Sequence, residues 1–291
     1  MSNSLRDRLF IALQHSLPQA LLSQLAGKLA DARTPWLKSM LIQQFARHYR
    51  VDMSDAIEPR LDAYPSFNEF FTRALAPHAR PLGEHLVSPA DGEISQLGTI
   101  TAGQLLQAKG RHYSIDALLG GSSQWSAPFQ QGHFATVYLS PRDYHRVHMP
   151  CAGTLKRTVY IPGQLFSVNQ TTAANVDQLF ARNERLVCHF DTDAGPMALV
   201  LVGAMIVAGI ETVWGGQVEP HATRVQRHDF STGIHLEKGQ EMGRFRLGST
   251  VITCFAQGVA PLAGISAGDT IRQGNTLFTP GESNPVVPAQ H

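Results

Sequence analysis

Cysteine is scarce in this sequence: three residues, Cys151, Cys188 and Cys254, in a chain of 291. An odd, widely spaced set in apolar surroundings excludes a disulfide framework and points to a reducing compartment. There is no Cys-x-x-Cys pair and no His-Glu-x-x-His helix, so no metal site is expected; His145 and His148 could supply only half of one. Long apolar runs are missing too. The longest, residues 197–210, contains two glycines and stops at Glu211, which excludes a membrane-spanning helix. Residues 9–13 are too short a stretch for a secretory signal, and no small-residue cleavage pattern follows them. With 43% hydrophobic and 16% charged residues, the chain has the composition of a soluble globular protein with a sizeable core rather than of a disordered one.

Acidic residues are what the first fifty positions lack. Asp7 and Asp31 stand against Arg6, Arg8, Lys28, Arg33, Lys38, Arg47 and Arg50, whereas the whole chain carries only +1. The basic charge has none of the aromatic interleaving of a base-stacking surface, so nucleic acid is not an expected partner. It accompanies apolar stripes at helical spacing, interrupted by Pro18 and Pro35: Leu5, Leu9, Phe10 and Leu13, then Leu21, Leu22, Leu25 and Leu29, then Leu37, Met40, Leu41 and Phe45. Such helices either dock on the protein's own core or lie in a membrane interface with their cations on anionic headgroups.

Residues 55–81 read as helical around Phe67, Phe70 and Phe71. From residue 86 the pattern changes to short β-rich runs punctuated by glycine, at residues 93–97, 133–139, 153–160, 185–189, 197–207 and 250–255. The expected class is therefore α+β: a helical region over 1–85 that associates with membrane, then a predominantly β domain over 86–291. Pro89-Ala90-Asp91-Gly92 is echoed by Pro150-Cys151-Ala152-Gly153, each ahead of a strand. Ile265-Ser266-Ala267-Gly268-Asp269-Thr270-Ile271-Arg272-Gln273-Gly274-Asn275-Thr276-Leu277-Phe278 resembles the strand-turn-strand of biotinyl and lipoyl carrier barrels, which implies barrel-like elements; the carrier lysine has no counterpart. The tail after Pro280 is expected to be loosely ordered.

One stretch carries unusual chemistry. In Arg246-Leu247-Gly248-Ser249-Thr250 a glycine precedes a serine, leaving the Gly248 carbonyl unshielded and open to the Ser249 hydroxyl. A glycine kink entering a strand is the plainer alternative. A serine nucleophile needs a base and the base an orienting acid. His145 and His148, in Tyr144-His145-Arg146-Val147-His148-Met149-Pro150, are the candidate bases. Asp91, in Ser88-Pro89-Ala90-Asp91-Gly92, is the candidate acid, with an ordinary Asp-Gly turn as its alternative.

Taken with Phe67-x-x-Phe70-Phe71-x-Arg73, Arg80-Pro81, Pro162-Gly163-Gln164-Leu165-Phe166-Ser167-Val168-Asn169, Phe180-Ala181-Arg182-Asn183-Glu184-Arg185 and Val202-Gly203-Ala204, these motifs resemble the bacterial phosphatidylserine decarboxylases over nearly the whole chain. The resemblance implies a pyruvoyl-dependent enzyme made as a proenzyme, with Asp91, His148 and Ser249 as its self-processing triad. Cleavage between Gly248 and Ser249 would leave a large β chain, 1–248, and a small α chain, 249–291, whose first residue has become a pyruvoyl group. That group would decarboxylate phosphatidylserine to phosphatidylethanolamine and CO2 through a Schiff base. By the same likeness His145 is a candidate proton donor, and Ser167 and Asn169 are candidates for holding the headgroup. The expected setting is peripheral, on the cytoplasmic side of the cell membrane, as a homodimer of α/β units.

Overall fold

The computed structural model describes residues 10–14, 18–204, 209–218, 223–246 and 249–281. Leu5, Leu9, the end of the run expected at 197–207, Gly248 and most of the tail after Pro280 lie outside the described residues. Residues 10–14 are helical. Two longer helices follow, α1 (Gln19–Ala30), entered from Pro18, and α2 (Pro35–Tyr49), which has proline at its first position, where a missing N–H costs nothing. Arg50 ends α2 in the left-handed conformation, its N–H bonded to the Ala46 carbonyl.

Residues 55–81 correct the helical expectation. Only α3 (Phe67–Phe71) and a single 3-10 turn, Leu61–Ala63, are helical there. The N–H groups of Ala76 and Ile57 bond to Asp55 O and Ala74 O, so the segment closes on itself as a loop. Pro59, Pro65 and Pro77 remove the donors that a continuous helix requires. Ser66 caps α3 by accepting the Glu69 N–H. Phe67, Phe70 and Phe71 then build a small aromatic core with Ile42, Tyr64 and Phe45.

The remainder is mainly β structure, interrupted by the short helices Ile115–Leu118, Ser123–Ser126, Gln170–Asn175 and Leu179–Arg182, and its strands pair antiparallel: β1 (Leu86–Val87), β2 (Gly92–Thr99), β3 (Gln104–Ala108), β4 (Arg111–Ser114), β5 (His133–Leu139), β6 (Arg146–His148), β7 (Gly153–Ile161), β8 (Arg185–Thr192), β9 (Gly195–Val202), β10 (Ile210–Thr212), β11 (Gly216–Gln217), β12 (Gln226–Leu236), β13 (Glu241–Phe245), β14 (Ser249–Phe255), β15 (Val259–Pro261), β16 (Thr270–Ile271) and β17 (Thr276–Pro280). The main sheet has the order β12-β7-β8-β9-β14-β5-β2-β16. Its centre is buried on both faces. Met197, Leu199 and Leu201 of β9 join Val251 and Phe255 of β14 in one core, and Ala198, Val200 and Val202 join Ile252 and Cys254 in the other. Two cores explain why β9 reads as an unbroken apolar run from Met197 and why β14, though it carries Thr250 and Thr253, is buried at every position.

A four-stranded sheet, β11-β10-β13-β6, and a three-stranded one, β1-β17-β15, flank it. The carrier-like stretch supplies β16 and β17, but β16 pairs with β2 in the main sheet while β17 pairs with β1 and β15. Its two strands therefore bridge separate open sheets instead of closing a small barrel between them. The turn joining them is held by the Gly274 N–H on Ser88 O and by the Gln273 N–H on Asp91 Oδ1.

Candidate active site

Ser249 opens β14 at the centre of the main sheet, paired with Leu139 on β5 and fully buried. The chain leaving Leu139 forms the 140–145 loop and enters β6, which pairs with β13; the Phe245 N–H bonds to the His145 carbonyl. The topology thus returns the histidine motif to the approach to Ser249, about a hundred residues later in the chain. Gly248, on the far side of the expected scissile bond, lies outside the described residues.

Among the described residues the Ser249 hydroxyl has no hydrogen-bond partner, nor do Ser140 Oγ, Thr250 Oγ1 or Arg73 Nε. The His145 ring has no well-formed bond either, only looser contact with the Ser140 and Pro141 backbone. Buried polar atoms left unsatisfied are rare and costly, and several of them on adjoining elements mark a place arranged for chemistry or for a ligand. A hydroxyl kept free of competing bonds at the head of a strand fits conversion into a pyruvoyl group.

His148 lies at the end of β6. Its Nδ1 is 2.8 Å from the Gly239 carbonyl, which can only accept, so Nδ1 carries the proton. Nε2 is then the basic nitrogen, 3.0 Å from the Tyr144 hydroxyl, which donates to it. Burial lowers the His148 pKa, opposed mainly by the Gly239 contact, and keeps the ring neutral and competent as a base near pH 7. Burial also raises the Tyr144 pKa, so the phenol stays a donor.

Asp91 stands beside this pair without bonding to the imidazole. The two loops are joined through the backbone, His148 N–H to Pro89 O at 2.8 Å. The Asp91 carboxylate is instead gripped by Arg80, at 3.0 Å from Nε and 2.6 Å from Nη2, and by the Gln273 N–H at 2.8 Å. Glycine on each side makes this possible: a Cβ on Gly92 would lie 2.3 Å from the Tyr138 carbonyl, and Gly274 turns at φ +89° directly after Gln273. Among the described residues no hydrogen bond joins Asp91, His148 and Ser249 to one another. The imidazole takes its orientation from Gly239 and Tyr144, a role that the sequence reading left unassigned. The four-residue spacing of Tyr144 and His148 was the available signal.

His145 is completely buried and stacked on Phe71, ring centroids 3.9 Å apart. Desolvation, reinforced by the nearby Arg73 charge, pushes its pKa down to about 3. Buried His189 falls to about 4 for the same chief reason. Both rings bind fewer protons folded than unfolded between their folded values and 6.5, so stability rises with pH across that window and is lost on acidification. Taking the protein from pH 7 to 5.5 should cost about 1 kcal/mol per such histidine, and His145→Phe should remove one share of that slope. Urea denaturation at the two pH values measures it; identical slopes in wild type and variant would contradict a neutral buried His145.

Ser167 and Asn169 lie on the loop before the short helix Gln170–Asn175. Asn169 Oδ1 caps that helix, accepting from Thr172 N at 2.9 Å and Thr172 Oγ1 at 3.0 Å. The Ser167 N–H is taken by Gln14 Oε1 at 2.8 Å, and the Leu165 N–H by Gln19 Oε1 at 2.8 Å. The backbone N–H groups of Ser167 and Leu165 thus tie the N-terminal segment to this loop, Asn169 caps the helix, and among the described residues no hydrogen bond joins Ser167 or Asn169 to Ser249, His145 or His148. Among the described residues no cluster of three or more metal-ligating side chains is present, and no helix is long and apolar enough to cross a membrane.

The comparisons with known proteins agree with the motifs. A family model described as phosphatidylserine decarboxylase matches residues 67–279, and a second, described as PSD, matches residues 9–50. A phosphatidylserine decarboxylase proenzyme of Pseudomonas aeruginosa strain LESB58 is 57% identical over 288 residues, covering 96% of this chain and 100% of its own. One from Azotobacter vinelandii is 55% identical over 283 residues, 92% of this chain and 99% of its own, and one from Pseudomonas putida KT2440 is 55% identical over 287 residues. With the match running from the aromatic loop through Asp91, His148 and Ser249 to the last strand, this chain belongs to the phosphatidylserine decarboxylase family.

Proposed function

We propose that the chain is the proenzyme of a phosphatidylserine decarboxylase that cuts itself between Gly248 and Ser249 and then converts phosphatidylserine to phosphatidylethanolamine and CO2. The observation that carries this is the buried Ser249 hydroxyl, unbonded among the described residues, at the head of β14 and paired with Leu139, from which the chain runs on to His145 and, in β6, His148. His148 takes the Ser249 proton on Nε2 while Gly239 holds the opposite nitrogen. Asp91 completes the triad through its charge and through the backbone link at Pro89, its carboxylate being fixed by Arg80. The pyruvoyl group formed from Ser249 supplies the electron sink for loss of the carboxylate. Intact mass under denaturing conditions, followed by turnover of phosphatidylserine vesicles, tests the reading; a single full-length species without turnover would sink it.

His145 is assigned to the decarboxylation step. At a pKa of about 3 it is neutral, so it serves first as a hydrogen-bond donor; an anion arriving beside Arg73 would raise its proton affinity and make it an acid. Ser167 and Asn169 are proposed to hold the headgroup, a role that the backbone bond of Ser167 to Gln14 leaves open because it engages the N–H and not the hydroxyl.

The helical region, residues 1–85, is proposed to rest on the cytoplasmic face of the cell membrane, with the β-rich remainder, 86–291, above it. Leu21, Leu25 and Leu29 form one stripe of α1 and are about half exposed, while Ser23, Gly27 and Ala30 face inward. Trp36 on α2 is 68% exposed, and Phe10, Leu13 and Met40 are exposed as well. A stripe that docked on the protein's own core would be buried; this one is presented outward. Each leucine transferred from water is worth roughly 1.5–3 kcal/mol, so Leu21→Glu with Leu25→Glu should weaken sedimentation with anionic vesicles at least tenfold and leave self-cleavage intact. Unchanged vesicle binding would remove this surface from the proposal. The homodimer is part of the same reading, and light scattering decides it.

A further inference from the structure

Beside Asp91 and Tyr144 lies a cavity of about 280 Å³ whose lining includes Arg50, Arg73, Arg142 and Arg272. Its arginines exceed its aspartates by one, and most of those charges cancel locally. Arg80 is saturated by Asp91 and Asp55. Asp143 spends Oδ2 on the Ser140 N–H.

Arg50 and Arg73 both lack a carboxylate partner among the described residues; Arg50 is exposed to solvent, and Arg73 is the buried one. It is 5% exposed and lines the cavity, yet no carboxylate lies within ion-pair distance of it among the described residues. Its Nη2 donates to the carbonyls of Arg142 and Asp143 at 3.1 and 3.4 Å, and its Nε has no partner. Arg185 offers an internal comparison. It is equally buried, but Nε, Nη1 and Nη2 each meet a carbonyl, from Leu118, Asn183 and Ala117, at 2.6–2.8 Å. Arg185 is a satisfied structural arginine, whereas Arg73 is a buried cation with donor capacity to spare. Burying a charge without a counter-ion is costly, and such groups persist where a ligand supplies the opposite charge.

We propose that Arg73 is the residue that binds the phosphodiester of the lipid headgroup, in the cavity it shares with Arg50 and Tyr144. The assignment rests on the function proposed above for the identity of the ligand, and it selects between that ligand's two anions. A carboxylate about to leave as CO2 loses its charge in the transition state, so a cation held against it stabilises the ground state more and slows the reaction. A phosphodiester keeps its charge throughout, and a fork of N–H donors suits its oxygens. The position also suits a lipid. Arg50, on the cavity wall, is the C-cap of α2, whose other end exposes Trp36, so one helix links the cavity to the apolar surface proposed to meet the membrane.

Glycerophosphocholine tests this without depending on the pyruvoyl group, because it carries the phosphodiester but no amine able to condense with a ketone. Calorimetric titration into the full chain should show saturable binding to wild type. Arg73→Gln should weaken it 10–100-fold, the worth of charge-assisted hydrogen bonds, and Arg73→Lys should recover part of the loss. On processed enzyme the same variants should raise KM for short-chain phosphatidylserine and leave KM for a phosphate-free O-alkyl serine as it is, while any change of kcat that comes through His145 falls on both substrates alike. Absence of binding to wild type, equal binding to wild type and Arg73→Gln, or an equal rise of KM on both substrates would overturn the proposal. Should Arg73→Gln not fold, the wild-type titration and Arg73→Lys still decide. Intact mass of each sample separately reports whether the chain was cut, so a failure of the parent reading is recognised by itself.

Discussion

Ser249→Ala leaves one polypeptide of full length and no decarboxylase activity, whereas wild type resolves into residues 1–248 and a 249–291 chain lighter than its serine-initiated form by one ammonia. The expected loss is total, because the hydroxyl is both the nucleophile of the cut and the precursor of the group that does the later chemistry. Stability should barely change. Among the described residues the Ser249 hydroxyl makes no hydrogen bond in its buried position, so its removal abolishes no partner there and relieves a desolvated oxygen, an effect within about 0.5 kcal/mol of zero. Mass spectrometry and thermal melts on one preparation measure both. A variant that still splits at 248/249 would remove Ser249 from the mechanism, and one that melts far below wild type would show that the hydroxyl is structural.

His148→Ala should slow self-cleavage by 10²–10⁴-fold, the usual worth of a positioned general base. Here a stability cost accompanies it, since the Gly239 carbonyl and the Tyr144 hydroxyl both lose a buried partner, about 1–3 kcal/mol in all. Tyr144→Phe keeps the ring and its Gly239 bond, so cutting should slow far less. Asp91→Asn should act differently again: it neutralises the partner of Arg80 in a pair whose side chains are each only about one-tenth exposed, so its effect on folding should be as visible as its effect on cutting. A time course of processing, followed by gel after synthesis, separates the three. Equal rates in His148→Ala and wild type would transfer the base to another residue, with His145 next in line.

Strand positions were legible because burial on both faces turns β9 into an unbroken apolar run from Met197, and β5 could be read to its final residue, Leu139. The 55–81 segment was misread because three phenylalanines at helical spacing suggested a long helix, while backbone closure between Asp55 and Ala76, which spacing does not encode, shaped the loop. The carrier-like glycines located a turn correctly but not the partners of its strands, since pairing depends on which sheet edges are free.

The sequence by itself determined the family and singled out Asp91, His148 and Ser249 as candidates, because each motif is written in residues close together along the chain, and it left open which way the leucines of α1 face. Only the tertiary structure decided what each side chain faces. Asp91 meets Arg80 rather than an imidazole, His148 is oriented by Gly239 and Tyr144, and His145 is sealed against Phe71. The structure also set Arg73 apart from Arg185. The physical reason is that charge, tautomer and hydrogen-bond satisfaction depend on which groups meet in space: Tyr144 is four residues from His148, but Gly239 is ninety-one away, and the packing of the sheets brings them to one ring.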